Sequence, residues 1–171
     1  MSVWIRAVCR KSVAFTTPKE LRTGITKRLM LLTYLYGEDD YEETLSGLRV
    51  ETASAGETFE VFRIYYQKNS DRFIRVGRWS KRTMVAEEVK ELTESLQERT
   101  ERKAAEIRKL LAETLEIVGL ELKQSDADGM GWPVAIAAAA YLADKGEGAV
   151  QADGQGWMKP TEKEISILLD E

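Results

Sequence analysis

The chain has no histidine and a single cysteine in 171 residues. The first absence removes Ser-His-Asp and Cys-His nucleophile systems, imidazole acid–base work and histidine-ligated zinc or iron. The second leaves Cys9 without a partner for an intrachain disulfide or a thiolate metal site. No apolar run approaches the ~18 residues of a membrane span. The first eleven residues, with Arg6, Arg10 and Lys11, lack the apolar stretch of a signal peptide. A cytoplasmic location, with no membrane contact, is the expectation. No G-x-x-x-x-G-K-[ST] loop occurs, and no G-x-G-x-x-G follows a strand pattern. What remains for catalysis is carboxylate, lysine and arginine chemistry, with carboxylate-bound Mg²⁺ or Ca²⁺ as the only metal options.

One stretch has the outline of a calcium loop. Asp126, Asp128 and Gly131 fit its positions one, three and six, but Met130 stands at five and Ala137 at twelve, where oxygen ligands are needed. The stretch therefore reads as a glycine-rich interhelical loop. Neither a metal nor a cofactor is expected.

The charge that is present alternates in blocks. Residues 1–36 hold seven Lys/Arg against Glu20, and residues 37–60 hold eight acids against Arg49. Residues 61–82 hold seven Lys/Arg against Asp71, and residues 121–171 hold ten acids against four lysines. Such blocks either pair with one another in space or give a basic sheet face that meets an acidic partner.

Residues 2–10 alternate, with Val3, Ile5, Ala7 and Cys9 on one side, which predicts a strand with Cys9 toward the core. Thr17, Pro18 and Glu20 form a helix start of capping-box type, and Leu21, Ile25, Leu29, Leu32 and Leu35 continue one helical face to about residue 36. A further helical turn at 41–46 is an option. Strands follow at 48–52, 58–67 and 72–79, with turns at 53–57 and 68–71, an antiparallel meander.

Residues 81–119 contain no Pro and no Gly before Gly119. They carry two apolar stripes, Val85/Val89/Leu92/Leu96 and Ile107/Leu110/Leu111/Leu115/Val118. The expectation is one continuous helix of roughly 54 Å, exposed in its polar middle. A break near Thr100 is the alternative. The heptad-like spacing admits a homodimer seam along it. Beyond it, a buried alanine-rich helix at 134–145, a short strand at 148–153, a loop at 154–160 and a terminal strand at 164–170 are predicted, a helix from Thr161 competing with the last.

The fold expectation is α+β: a small antiparallel sheet of about four strands, packed by the N-terminal helix and one long central helix, with a helical C-terminal annex. Residues 1–96 would form the sandwich and 97–171 the second half of the long helix with the annex. The strand–helix–meander–helix order resembles ferredoxin-like sandwiches in outline, which implies a fold and no function.

Six residues stand out as candidates for binding a partner. Arg72, Arg75, Arg78 and Trp79 lie in one basic, aromatic strand, with Arg75 and Arg78 of opposite parity. Asp153 and Trp157 flank a Gly-x-Gly turn, where a carboxylate can be positioned in a site or can cap its own backbone. The leading expectation is a small non-catalytic protein of bacterial type that acts by protein–protein binding, in the manner of an immunity or inhibitor protein. A histidine-free enzyme using Asp153 and an arginine is one alternative. Nucleic-acid binding through 72–82 is another, opposed by the acidic pI of about 5.2.

Overall fold

The computed structural model describes residues 1–53 and 59–171. The turn expected at 53–57 lies, but for Ala53, outside the described residues, as does Thr58. The fold is α+β, built on eight strands: β1 (Ser2–Cys9), β2 (Arg49–Thr52), β3 (Glu60–Tyr65), β4 (Ile74–Trp79), β5 (Glu116–Lys123), β6 (Ala149–Ala152), β7 (Gly156–Pro160) and β8 (Ile165–Leu169). They form one sheet in the order β2-β3-β4-β5-β1-β6-β7-β8, with every pairing antiparallel. The expectation of about four strands is thus corrected to eight. The four-stranded ferredoxin-like outline goes with it.

The helices are α1 (Pro18–Leu29), α2 (Glu38–Gly47), α3 (Arg82–Glu94), α4 (Arg102–Ala112), α5 (Gln124–Ala127) and α6 (Gly131–Lys145), with a 3₁₀ segment at Met30–Leu35. The capping box starts α1: Thr17 Oγ1 accepts from Glu20 N–H at 3.2 Å and Glu20 returns the bond to Thr17 N–H at 3.0 Å.

The main core lies on one face of the sheet. Ile5, Ala7 and Cys9 of β1 and Val118, Leu120 and Leu122 of β5 meet Leu21, Ile25 and Leu29 of α1 and the alanine run of α6. Ala135 and Ala137–Ala140 are fully buried. Their small side chains let α6 lie close to α1, where Gly24 faces the Tyr141 ring with no room for a Cβ. Burial also pushes the Cys9 thiol up to about 12, with Glu116 adding to the effect.

The second face carries a smaller core over β1, β6, β7 and β8. Val8, Ala149, Trp157 and Leu169 meet Leu92 of α3, Leu96 just beyond it, and Ala104, Ile107 and Leu111 of α4. This replaces the long central helix, and with it the seam proposed along that helix. Residues 81–119 form two helices and half of a strand. A straight rod could lay only one of its apolar stripes on this face, whereas the hairpin brings Val89, Leu92 and Leu96 of the first and Ile107, Leu110 and Leu111 of the second onto it, leaving Leu115 exposed. The reversal at 95–101 uses hydroxyls in place of Gly or Pro. Thr93 and Ser95 donate to the carbonyls of Val89 and Leu92, both at 2.7 Å, which competes with helix propagation. Arg108 then donates to the carbonyls of Leu96 and Arg99 at 2.8 and 3.0 Å, joining the Arg99 N–H on the first of them and tying the reversal to α4.

β5 is the strand concealed in the predicted helix. It pairs with β1 over all eight residues, from Ser2↔Lys123 to Cys9↔Glu116, and with β4 on its other side. Isolated, its apolar residues continue a helical stripe. In the sheet, Val118, Leu120 and Leu122 alternate with Gly119 and Glu121 across two faces. Residues 156–160, expected as loop, form β7, joined to β6 by a hairpin whose Gly154 and Gly156 hold φ of 75° and 86°. Among the described residues, no helix is long and apolar enough to cross a membrane.

Candidate partner-binding surface

The helices of the second face stand over β1 and β6–β8, and the β2–β5 half of that face carries its own polar and aromatic side chains. Alternation puts Trp4 of β1, Arg75, Gly77 and Trp79 of β4, and Gly119 and Glu121 of β5 on this side, because their neighbours Ile5, Val76 and Leu120 enter the main core.

At its centre the Trp4 and Trp79 rings lie 6.0 Å apart with planes inclined at 51°. Both lean over Gly119, where a Cβ would run into the Trp79 ring and come within 3.1 Å of Trp4. Glycine at this point of a central strand is therefore what lets the indoles settle on the backbone. Trp4, Phe59, Gly77 and Trp79, with Glu60, Arg75 and Glu121, line a recess of about 300 Å³. A neighbouring recess of about 400 Å³ shares Arg75 and Glu121 and adds Arg72 and Phe73. Lys81 lies 5.9 Å from the Phe59 ring centre, and Arg63 4.7 Å from that of Phe73.

The arginines of this face are matched by acids. Arg75 reaches Glu121 at 3.2 Å and Glu60 at 4.0 Å. Arg63 reaches Glu60 at 2.8 Å. Arg6 bonds Glu88 of α3, Gln151 at 2.7 Å and Asp153 at 3.0 Å. The surface is rich in arginine and aromatic area yet close to neutral. Arg75 is the most exposed of these arginines, and its pair with Glu121 contributes about 0–1 kcal/mol, whereas Arg6 and Glu60 are largely buried and hold their partners more firmly.

The six residues singled out in the sequence divide accordingly. Arg75 and Trp79 lie in this surface, and Arg72 and Asp153 stand at its margins. Arg72 stands 2.8 Å from Asp126 off the line of an N–H donor, while the same nitrogen donates to Ser125 at 2.6 Å. Asp126, a member of the calcium-like stretch, thus faces a guanidinium. It also flanks Tyr66, whose hydroxyl is raised above its ordinary pKa by burial first and by Asp126 second. Asp153 uses one oxygen for Arg6 and accepts the Trp4 backbone N–H on the other at 3.1 Å. Arg78 points to the opposite face, as its parity requires. It bonds the buried Glu116 at 3.0 Å, which also accepts from Ser12 Oγ at 2.7 Å and Val13 N–H at 3.0 Å. Trp157 is 4% exposed inside the second core, so its indole offers a partner nothing.

Trp4, Phe59, Glu60 and Glu121 were missed by sequence reading. Trp4 was visible on the second side of the first strand, but its neighbour Trp79 comes from a strand that β5 separates from β1, and β5 was read as helix. Among the described residues no cluster of three or more Cys, Asp or Glu side chains is placed to hold a metal. In comparisons with family models, curated proteins and solved structures, nothing matches this chain.

Proposed function

We propose that the protein is a non-catalytic binding module that holds another protein against the open half of its sheet, in the manner of an immunity or inhibitor protein. The observation that carries this is the Trp4–Trp79 pair, seated over Gly119 among charge-matched arginines. Aromatic and arginine side chains are the types enriched in protein interfaces, and a tryptophan already half desolvated costs little to cover completely. Near-neutrality favours a protein partner over nucleic acid. A phosphate backbone would have to displace Glu60 and Glu121 from Arg63 and Arg75 before gaining its contacts. For an enzyme, Asp153 would have to give up both Arg6 and the Trp4 backbone N–H before it could act as a base.

The test is affinity capture from nuclease-treated lysate of the native host at low salt, with wild type beside a Trp4→Ala/Trp79→Ala double variant and a Lys19→Ala control on the other side of the molecule. A protein retained by wild type and the control but lost with the double variant supports the reading. Retention unaffected by the double substitution, or a gel shift with nucleic acid that the same substitution abolishes, overturns it.

A further inference from the structure

We propose that the groove between the 3₁₀ segment and α2 receives a basic amphipathic helix from a protein partner. This rests on the protein-binding reading but lies on the other side of the sheet, where Tyr36, Tyr41 and Leu45 pack against the main core.

Three large apolar side chains are presented to solvent within six residues: Met30 at 60%, Tyr34 at 74% and Leu35 at 39% exposure. Met30 and Thr33 form one wall of a groove of about 550 Å³, with Tyr36 and Tyr41 deeper in it and Glu38 and Glu42 on its rim. The two tyrosine rings are stacked, 6.1 Å apart and within 8° of parallel, and Tyr36 is anchored by donating its hydroxyl to the Leu29 carbonyl. The groove floor is therefore preformed, and a volume in the range of roughly 300–1,000 Å³ suits a few inserted side chains.

Charge identifies the occupant. Glu38, Asp39, Asp40, Glu42 and Glu43 have no cation within ion-pair distance among the described residues, unlike the acids of the open sheet face. The first three are accounted for by position, since carboxylates stabilise a helix N-terminus and Asp40 also accepts the Gly37 N–H at 3.3 Å. Glu42 and Glu43 lie beyond that first turn, and helix capping does not explain exposed Met30 and Tyr34. Glu38 and Glu42 are one turn apart on α2. They match lysines or arginines one turn apart on a helix whose apolar residues enter between Met30 and Tyr41. An anionic membrane surface or a nucleic acid would be repelled by the same five carboxylates.

The probe is a fluorescently labelled leucine–lysine amphipathic peptide of about 14 residues, with a leucine–glutamate peptide of the same pattern as control, followed by anisotropy at low and high salt. The wild type should bind the lysine peptide alone, more weakly at high salt. Glu38→Lys/Glu42→Lys and, separately, Met30→Asp should each weaken it by roughly tenfold or more. All three positions are exposed, so circular dichroism should be unchanged. Trp4→Ala/Trp79→Ala should bind the peptide as wild type does, which separates this groove from the open sheet face. Failure of the wild type to bind the lysine peptide, or equal binding by the groove variants, overturns the proposal and leaves the sheet-face reading standing.

Discussion

Trp79 occupies the space above Gly119 that any side chain at that position would need. The backbone of the central strand and the indole of its neighbour are complementary. Gly119→Ala should displace Trp79, and Gly119→Val should displace it further at a cost of about 1–3 kcal/mol in stability, in the range of overpacking. Tryptophan emission should shift to the red and near-ultraviolet circular dichroism should weaken, with far-ultraviolet circular dichroism retained. An unchanged indole environment in Gly119→Val would refute the stacking.

The α3–α4 hairpin makes a sharp distinction along one stretch of chain. Ile107 is 1% exposed in the second core, and Thr100 is exposed at the reversal. Ile107→Asp should cost more than about 4 kcal/mol, while Thr100→Asp should stay within about 0.5 kcal/mol of wild type. Arg108→Ala, which removes the guanidinium from the Arg99 carbonyl and leaves the Leu96 carbonyl only its bond from the Arg99 N–H, should cost about 1 kcal/mol. Urea unfolding monitored by circular dichroism would check all three.

Glu116 is the buried carboxylate that gives Arg78 a structural task. Glu116→Ala strands the guanidinium together with the Ser12 hydroxyl and Val13 N–H, and should destabilise by about 3 kcal/mol, the lower end for a broken buried pair because Arg78 is partly solvated. Arg78→Ala should leave partner capture intact once the loss of stability is allowed for.

Cys9 should be silent at neutral pH. Its thiol is held near 12 by burial in the native state against an ordinary value of 9.0. The sign follows from the protonation states: a raised native pKa favours the folded chain fully below 9.0, and that contribution falls away as the pH rises toward 12. Thiol titration at pH 8 with a disulfide reagent should show no reaction in buffer and one equivalent in denaturant. Rapid native-state reaction would place Cys9 at the surface.

The N-terminal third was legible because its signals are local. The alternation of residues 2–9, the Thr17–Glu20 capping box and the Leu21/Ile25/Leu29 face each declare one element without help from elsewhere. The long-helix reading failed for a physical reason. Helical periodicity in Ile107, Leu111 and Leu115 runs on into Val118, and only pairing with β1, more than a hundred residues away, converts the final part into a strand. The reversal at 95–101 was hidden because it is made by serine and threonine bonding back to the helix, with Arg108 closing the loop. The binding surface was half legible. Arg75 and Trp79 share one strand and could be named from it, whereas Trp4 and Glu121 join them only through sheet order. Trp157 misled because a glycine-flanked tryptophan reads alike whether it is an exposed anchor or a core side chain.

The most direct measurement of the central claim is hydroxyl-radical footprinting of the protein with and without the partner captured from its host. Side-chain labelling at Trp4, Phe59, Phe73 and Trp79 reports on the open sheet face, and Phe15, 89% exposed, serves as a reference. The account predicts that the partner suppresses labelling at Trp4 and Trp79 while Phe15 is unchanged. Undiminished labelling of both tryptophans in the bound state would contradict it.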